Sequence, residues 1–393
     1  MAARLRPFAA LLVLATGACA HAPLPEPVAT VVAETGACRT VSASLHFDFA
    51  GASASACAVT GERDFTLLVT PEHAPPINPS PWYAFRYEAE GSAPVNVTLR
   101  YLGGRHRYAP KYHDGSAWRD LPVELAEKDG AATLSLPPGK GLIAAQEIIT
   151  PDDAHADLLR WSAASGAPVV TLGHSHDGRV VEAIRLGRAD APHLVVLLGR
   201  QHPPEVTGAI AMRAFVDELA AMMTRVPQFA ADLQFLVVPM LNPDGVVRGH
   251  WRANRGAVDL NRDWGPFTQP ETRSVKAWLD ALPQGIRPVL MVDFHSTRSN
   301  LFYVQGDEAS APQRRFRAAW LDGRETAVAG YPFTIEPRNA NPGSGTAKNW
   351  FHATYAIPAY TYEVADDADR EATRSAAAAL AAGLPAALGA MGQ

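Results

Sequence analysis

Between about residues 35 and 145, apolar and polar positions alternate in short runs, at 44–49, 65–69, 82–88, 95–101 and 133–136. A period of two turns one face of a strand to a core and the other to water. Turn formers separate the runs: Pro75-Pro76-Ile77-Asn78-Pro79, Gly103-Gly104 and Asp114-Gly115. Short strands spaced in this way predict a small, antiparallel all-β sandwich over 35–145. After about Ile149 the texture changes. Continuous apolar runs at 193–198, 233–239, 289–294 and 360–364 read as strands buried on both faces. Runs 169–172 and 180–186 flank a hairpin at 173–179. Apolar residues at helical spacing fill 209–223, 271–281, 313–329 and 347–355, and an Ala- and Leu-rich closing helix is predicted over 369–390. Strands alternating with helices predict an α/β domain over 146–393, a mixed and mostly parallel sheet flanked by helices.

The first twenty residues do not fit either domain. Arg4 and Arg6 precede an apolar stretch at 8–15 that is too short to span a bilayer. Ala18-Cys19-Ala20 suits cleavage after Ala20, giving a signal peptide over 1–20. Equally, Thr16-Gly17-Ala18 before Cys19 is similar to a bacterial lipoprotein box, with Thr16 in place of the usual Leu, Val or Ile and Cys19 as a lipid anchor. Either reading predicts an exported protein, in the periplasm or lipid-anchored to a bacterial membrane. The Pro- and Ala-rich segment 21–34 reads as a linker. Of the three cysteines, Cys38 and Cys57 remain in the exported body, and a disulfide between them is expected.

Composition narrows the function. A hydrophobic fraction of 47% supplies ample core. The net charge of −5, with no basic block, gives nucleic acid nothing to bind. Eight aromatics in the β region (Trp82, Tyr83, Phe85, Tyr87, Tyr101, Tyr108, Tyr112 and Trp118) could form a carbohydrate platform, but core and interface packing is the expectation.

Strand 193–198 runs into Gly199-Arg200-Gln201-His202-Pro203-Pro204-Glu205. A turn there can aim an imidazole and a carboxylate at one point, a donor pair that suits Zn²⁺. His295, ending another buried strand, is the third candidate ligand. Two histidines and one glutamate leave a fourth position open, as in catalytic rather than structural zinc sites. Ligands, turns and strand ends would meet where α/β sheets gather their sites, at the carboxyl ends of strands. His174 and His176, on the hairpin, are expected to be solvated. Asn242-Pro243-Asp244-Gly245 reads as a turn. Arg252 and the run Val258-Asp259-Leu260-Asn261-Arg262-Asp263-Trp264 follow it. Guanidinium groups near such a site suit carboxylate or oxyanion binding. Asp259 could accept from the free N–H of a ligand histidine, whereas Arg248, Arg255 and Asp263 are expected in surface ion pairs. Glu363, a carboxylate within the apolar run 360–364, is a candidate general base, because burying it idly would be costly.

Arg-Gln-His-Pro-Pro-Glu at 200–205, Asn-Pro-Asp-Gly at 242–245, Asp-Leu-Asn-Arg at 259–262, His295 and Glu363 together resemble the zinc carboxypeptidase family. The likeness covers about 150–370 and is greatest to its cytosolic-type branch, in which a β-sandwich precedes the peptidase domain. It implies one Zn²⁺ on His202, Glu205 and His295. It further implies oxyanion polarisation by Arg252, the substrate α-carboxylate on Asn261 and Arg262, and Glu363 as general base. Lys348, fifteen positions before Glu363, would then floor the side-chain pocket and favour acidic C-terminal residues. Two features depart from the family: Tyr331 and Tyr355 are wrongly spaced for the tyrosine that closes over substrate, and the export segment is foreign to the cytosolic branch. The expected function is an exported carboxypeptidase acting on peptides or peptidoglycan-derived peptides. A zinc amidase or deacylase, and an inactive binding lipoprotein on the same scaffold, are the alternatives.

Overall fold

The structure, a computed structural model, describes residues 38–73, 76–126, 128, 130–225, 229–338 and 343–392. The expected leader 1–20 with Cys19, and the linker 21–34, lie outside the described residues.

The N-terminal region is built from β1 (Ala43–His46), β2 (Ala56–Val59), β3 (Asp64–Val69), β4 (Ala84–Ala89), β5 (Val95–Tyr101), β6 (Lys111–His113), β7 (Trp118–Asp120), β8 (Val123–Ala126), β9 (Ala131–Leu136) and β10 (Gly139–Ala144). They form two five-stranded sheets, ordered β1-β4-β10-β6-β7 and β2-β3-β5-β9-β8. Leu45, Phe85 and Ile143 of the first sheet share one core with Phe65, Val97 and Leu134 of the second. A disulfide joins Cys38 to Cys57 on β2, as expected. Trp82, Tyr83, Phe85, Tyr87, Tyr101 and Tyr108 are buried, so these aromatics are packing rather than a platform. The sandwich is not wholly antiparallel: β3 and β5 pair in parallel. Between them the chain crosses to the other sheet as β4, and it returns to the second sheet running the same way as it left.

The α/β region holds β11 (Val169–His174), β12 (Val180–Gly187), β13 (His193–Gly199), β14 (Leu233–Val238), β15 (Arg287–Thr297), β16 (Leu301–Val304), β17 (Thr334–Pro337) and β18 (Ala359–Ala365). Its helices are α1 (Pro151–Ser165), α2 (Val206–Arg225), α3 (Phe229–Asp232), α4 (Pro243–Val247), α5 (Pro270–Asp280), α6 (Ala311–Trp320), α7 (Ala347–Tyr355) and α8 (Arg370–Met391). The strands make one sheet, ordered β11-β12-β14-β13-β15-β18-β16-β17. Its centre, β14-β13-β15-β18, is parallel throughout. Along β13, Val195 and Leu197 face a core shared with α1, α2, α6 and α8. Leu194, Val196 and Leu198 face the opposite core, with α5 and α7. Burial on both faces explains the unbroken apolar runs. Helix α6 is shorter than its apolar spacing predicts: it stops at Trp320, and Gly323 then takes a left-handed φ of +79° that no helix interior accepts. Parallel strands place their carboxyl ends on one rim, and there the register sets His295 opposite Glu363.

Candidate active site

Beyond β13 the chain turns sharply at Arg200, a non-glycine residue with φ of +51°. The turn is braced from the next parallel strand: Asn242 Nδ2 donates to the Gln201 carbonyl at 3.0 Å, and Asn242 Oδ1 caps α4 by accepting from Gly245 N at 3.0 Å. Glu205 then enters α2 from the loop. The first turn of that helix is anchored to the strand that carries His295. Gly208 N donates to Ser296 Oγ at 2.9 Å, and a Cβ on Gly208 would stand 2.5 Å from the His295 carbonyl oxygen. Only glycine permits this approach.

The result is a buried triad. His202 Nδ1 lies 2.8 Å from Glu205 Oε1, and His295 Nδ1 lies 2.6 Å from Glu205 Oε2. Candidate donor atoms of His202, Glu205 and His295 all fall within 4.8 Å of one another. Each ring's other nitrogen, Nε2, donates to a carboxylate: His202 to Asp259 Oδ1 at 2.9 Å, His295 to Asp293 Oδ2 at 2.6 Å. Such contacts fix the tautomer that leaves Nδ1 free for a metal. Burial alone would raise the Glu205 carboxyl, but His202 and His295 hold it well below the usual range. Burial would likewise lower His295, yet Asp293 and Glu205 raise it well above its ordinary value. Three carboxylates around two imidazoles call for a cation, and this donor set fits Zn²⁺ with an open coordination position.

The remaining candidates surround the triad. Glu363 Oε2 is buried with no protein partner. Burial pushes its carboxyl up to about 7, against the pull of His295. Arg252 Nε donates to Asp259 Oδ2 at 2.6 Å, so one aspartate serves both ligand and arginine. Asn261 Oδ1 accepts from Ala347 N at 2.9 Å, and Arg262 Nη1 donates to the Asn261 carbonyl at 2.7 Å. Gly345 packs so closely on the Arg262 carbonyl that no Cβ would fit, which draws the start of α7 into the site. Lys348, 3% exposed, donates from Nζ to the Arg338 carbonyl at 3.1 Å. All eight sequence candidates line one cavity of about 210 Å³.

Some expectations are corrected. Asp263 is not in a surface ion pair. It is 2% exposed and accepts from Thr268 N, Thr268 Oγ1 and Gln269 N, holding the entry to α5. Arg248 and Arg255 do pair at the surface, both with Asp177. His174 and His176 are exposed and outside the triad. Neither Tyr331 nor Tyr355 reaches the cavity. Tyr331 takes a hydrogen bond from Tyr362 in the core, and Tyr355 packs on Trp350 and Phe351. The tyrosine that does line the cavity is Tyr303, on β16.

Sequence reasoning also passed over several residues. Asp293 is two before His295 on the same strand face, a spacing that could have suggested it. Gln201 Nε2 donates to Asp293 Oδ2 at 2.6 Å and its Oε1 accepts from Trp264, locking that pair. Arg107 comes from the sandwich, pairs with Asp366 at 2.8 Å and lines the cavity. No local signal marks it.

A parallel sheet that gathers two histidines and a glutamate beside a free buried carboxylate defines a protein with a mononuclear, catalytic-type metal centre. The sequence profile of the zinc carboxypeptidase family matches residues 157–374, and the chain belongs to that family. Cytosolic carboxypeptidase 6 of Caenorhabditis elegans is 32% identical over 138 residues, 33% of this chain and 30% of that protein. An uncharacterised protein of Zymomonas mobilis is 31% identical over 133 residues, 33% of this chain and 34% of its own length. The matched stretch thus spans about a third of these relatives. Among solved structures, a metallo-carboxypeptidase from Burkholderia cenocepacia superposes with a TM-score of 0.73 at 19% identity, covering 89% of this chain and 98% of that one. One from Pseudomonas aeruginosa gives 0.66 at 19% identity, covering 88% and 100%. The shared fold therefore includes the β-rich region as well as the α/β region.

Proposed function

We propose that this chain is an exported zinc carboxypeptidase that removes the C-terminal residue of peptides and prefers an acidic one. The observation that carries this reading is the cavity itself: the His202, Glu205 and His295 triad and the unpartnered Glu363 share it with Arg252, Arg262, Arg338 and Lys348. Zinc held by the triad supplies Lewis-acid polarisation of a water molecule and of the scissile carbonyl. Glu363 takes the proton of the attacking water at its free oxygen and passes it to the leaving amine nitrogen. Its raised affinity for protons suits both halves of that task. Arg252 stabilises the charge that develops on the carbonyl oxygen. Arg262 and Asn261 hold the substrate's α-carboxylate, and the buried ammonium of Lys348 meets a side-chain carboxylate. Export rests on the sequence of residues 1–20, in which Cys19 is the residue a lipid anchor would use, and would bring the enzyme to periplasmic or cell-wall stem peptides.

Matched peptides with free and amidated C-termini test the reading. The free peptide is turned over and the amidated one is not, because amidation removes the charge that Arg262 binds. Equal rates would transfer the protein to the amidase or endopeptidase class. Zinc binding with no turnover of any free peptide would make it a binding protein.

A further inference from the structure

Arg252 belongs to an irregular segment, 249–254, between α4 and the site. Its guanidinium is fixed at one end by Asp259, through the 2.6 Å bond from Nε. Its backbone is fixed by a residue from the other region of the chain. Glu72, in the loop after β3 of the sandwich, has a side chain only 6% exposed. Glu72 Oε2 accepts from Trp251 N at 2.7 Å, and Glu72 Oε1 accepts from Arg252 N at 3.0 Å and Ala253 N at 2.6 Å. Three consecutive N–H groups converging on one carboxylate form an anion-binding nest, here filled by a protein side chain. The neighbouring side chain is captured as well. Trp251 is 1% exposed, inside the core of the sandwich, and a Cβ on Gly104 would stand 2.9 Å from its ring. Backbone and ring on either side of Arg252 Cα are therefore set by the sandwich, not by the α/β sheet.

We propose that Glu72 is a positioning residue of the active site: it holds the backbone of 251–253 so that Arg252 faces the developing oxyanion. The β-sandwich is then a working part of the catalytic centre. A continuous path runs from Glu72 through the 251–253 backbone to Arg252, to Asp259 and to the ligand His202. The inference rests on the reading of Arg252 given above.

Glu72→Gln keeps shape but replaces one acceptor oxygen with an NH₂ that cannot accept from a backbone N–H. In the full-length, zinc-loaded chain it lowers kcat about 10–100-fold with KM nearly unchanged, the scale of a displacement of about 1 Å in a catalytic group. Arg252→Ala lowers kcat about 100–1,000-fold, as loss of an oxyanion donor does. In the Arg252→Ala background, Glu72→Gln costs nothing further. Zinc content stays stoichiometric, and amide hydrogen exchange quickens at 251–253. If Glu72→Gln does not accumulate as folded protein, Glu72→Asp, which keeps both oxygens on a shorter stem, is read in the same way. Wild-type kcat in the Glu72 variant, with Arg252→Ala impaired, overturns the inference alone. Losses that multiply in the double variant overturn it too, because they assign Glu72 to stability. An unimpaired Arg252→Ala removes the reading of Arg252 itself, and the inference with it.

Discussion

Lys348 offers a direct measurement of the side-chain pocket, through pH. Burial lowers its ammonium from 10.5 to about 8, with Glu308 pulling it up and Arg338 pushing it further down. The group is charged below about pH 8 and neutral above it. A glutamate side chain on the substrate titrates near 4.3, so from about pH 6 to 10 only the enzyme's charge changes. Breaking a desolvated, hydrogen-bonded charge pair costs about 2–5 kcal/mol. Arg338 and Arg262 share the cavity and also face the substrate, so the low end applies: about 2 kcal/mol, or roughly 30-fold in kcat/KM. The assay is kcat/KM on peptides differing only in a last residue of Glu, Gln, Leu or Lys. The expected ratio of Glu to Gln is greatest below about pH 7 and falls about 30-fold by about pH 10, with its midpoint near the free-enzyme value of about 8. Lys348→Met flattens the profile at its low limit, and Lys348→Glu reverses the ranking of Glu against Lys. A pH-independent ratio in the wild type, or an unchanged ranking in Lys348→Glu, would show that this lysine does not meet substrate.

Three further outcomes follow from the site. His295→Ala loses zinc and activity together; stoichiometric zinc in that variant would remove His295 from the ligand set. Glu363→Gln retains zinc but lowers kcat by about three orders of magnitude or more, because proton acceptor and donor vanish together; a near-normal kcat would place the base elsewhere. Asp293→Asn weakens zinc binding about 10–100-fold, measured by competition with a chelator, because the His295 ring loses its charged acceptor. An unchanged affinity would mean that the charge of Asp293 plays no part in holding the ring for the metal.

What the sequence determined by itself is what depends on near neighbours. The apolar runs of β13, β14, β15 and β18 are legible because strands buried on both faces need unbroken hydrophobic residues. The ligands and Glu363 are legible because each ends or follows such a run, and parallel strands bring their carboxyl ends together. Cys38 and Cys57 were paired by count and compartment alone. What only the tertiary structure decided is how distant segments satisfy one another. Asp263 carries the same charge and neighbours as a surface residue, yet the fold closes Thr268 and Gln269 over it. Whether β3 and β5 run parallel depends on which sheet β4 joins, not on alternation within either strand. Glu72 and Arg107 lie more than a hundred residues from the groups they hold, Trp251 to Ala253 and Asp366. A carboxylate or guanidinium in a loop carries no periodicity, and its partner is chosen by packing between the sandwich and the sheet. The sequence could therefore name the candidate groups of the site, while the distant residues that hydrogen-bond around them became visible only when the two regions were seen against each other.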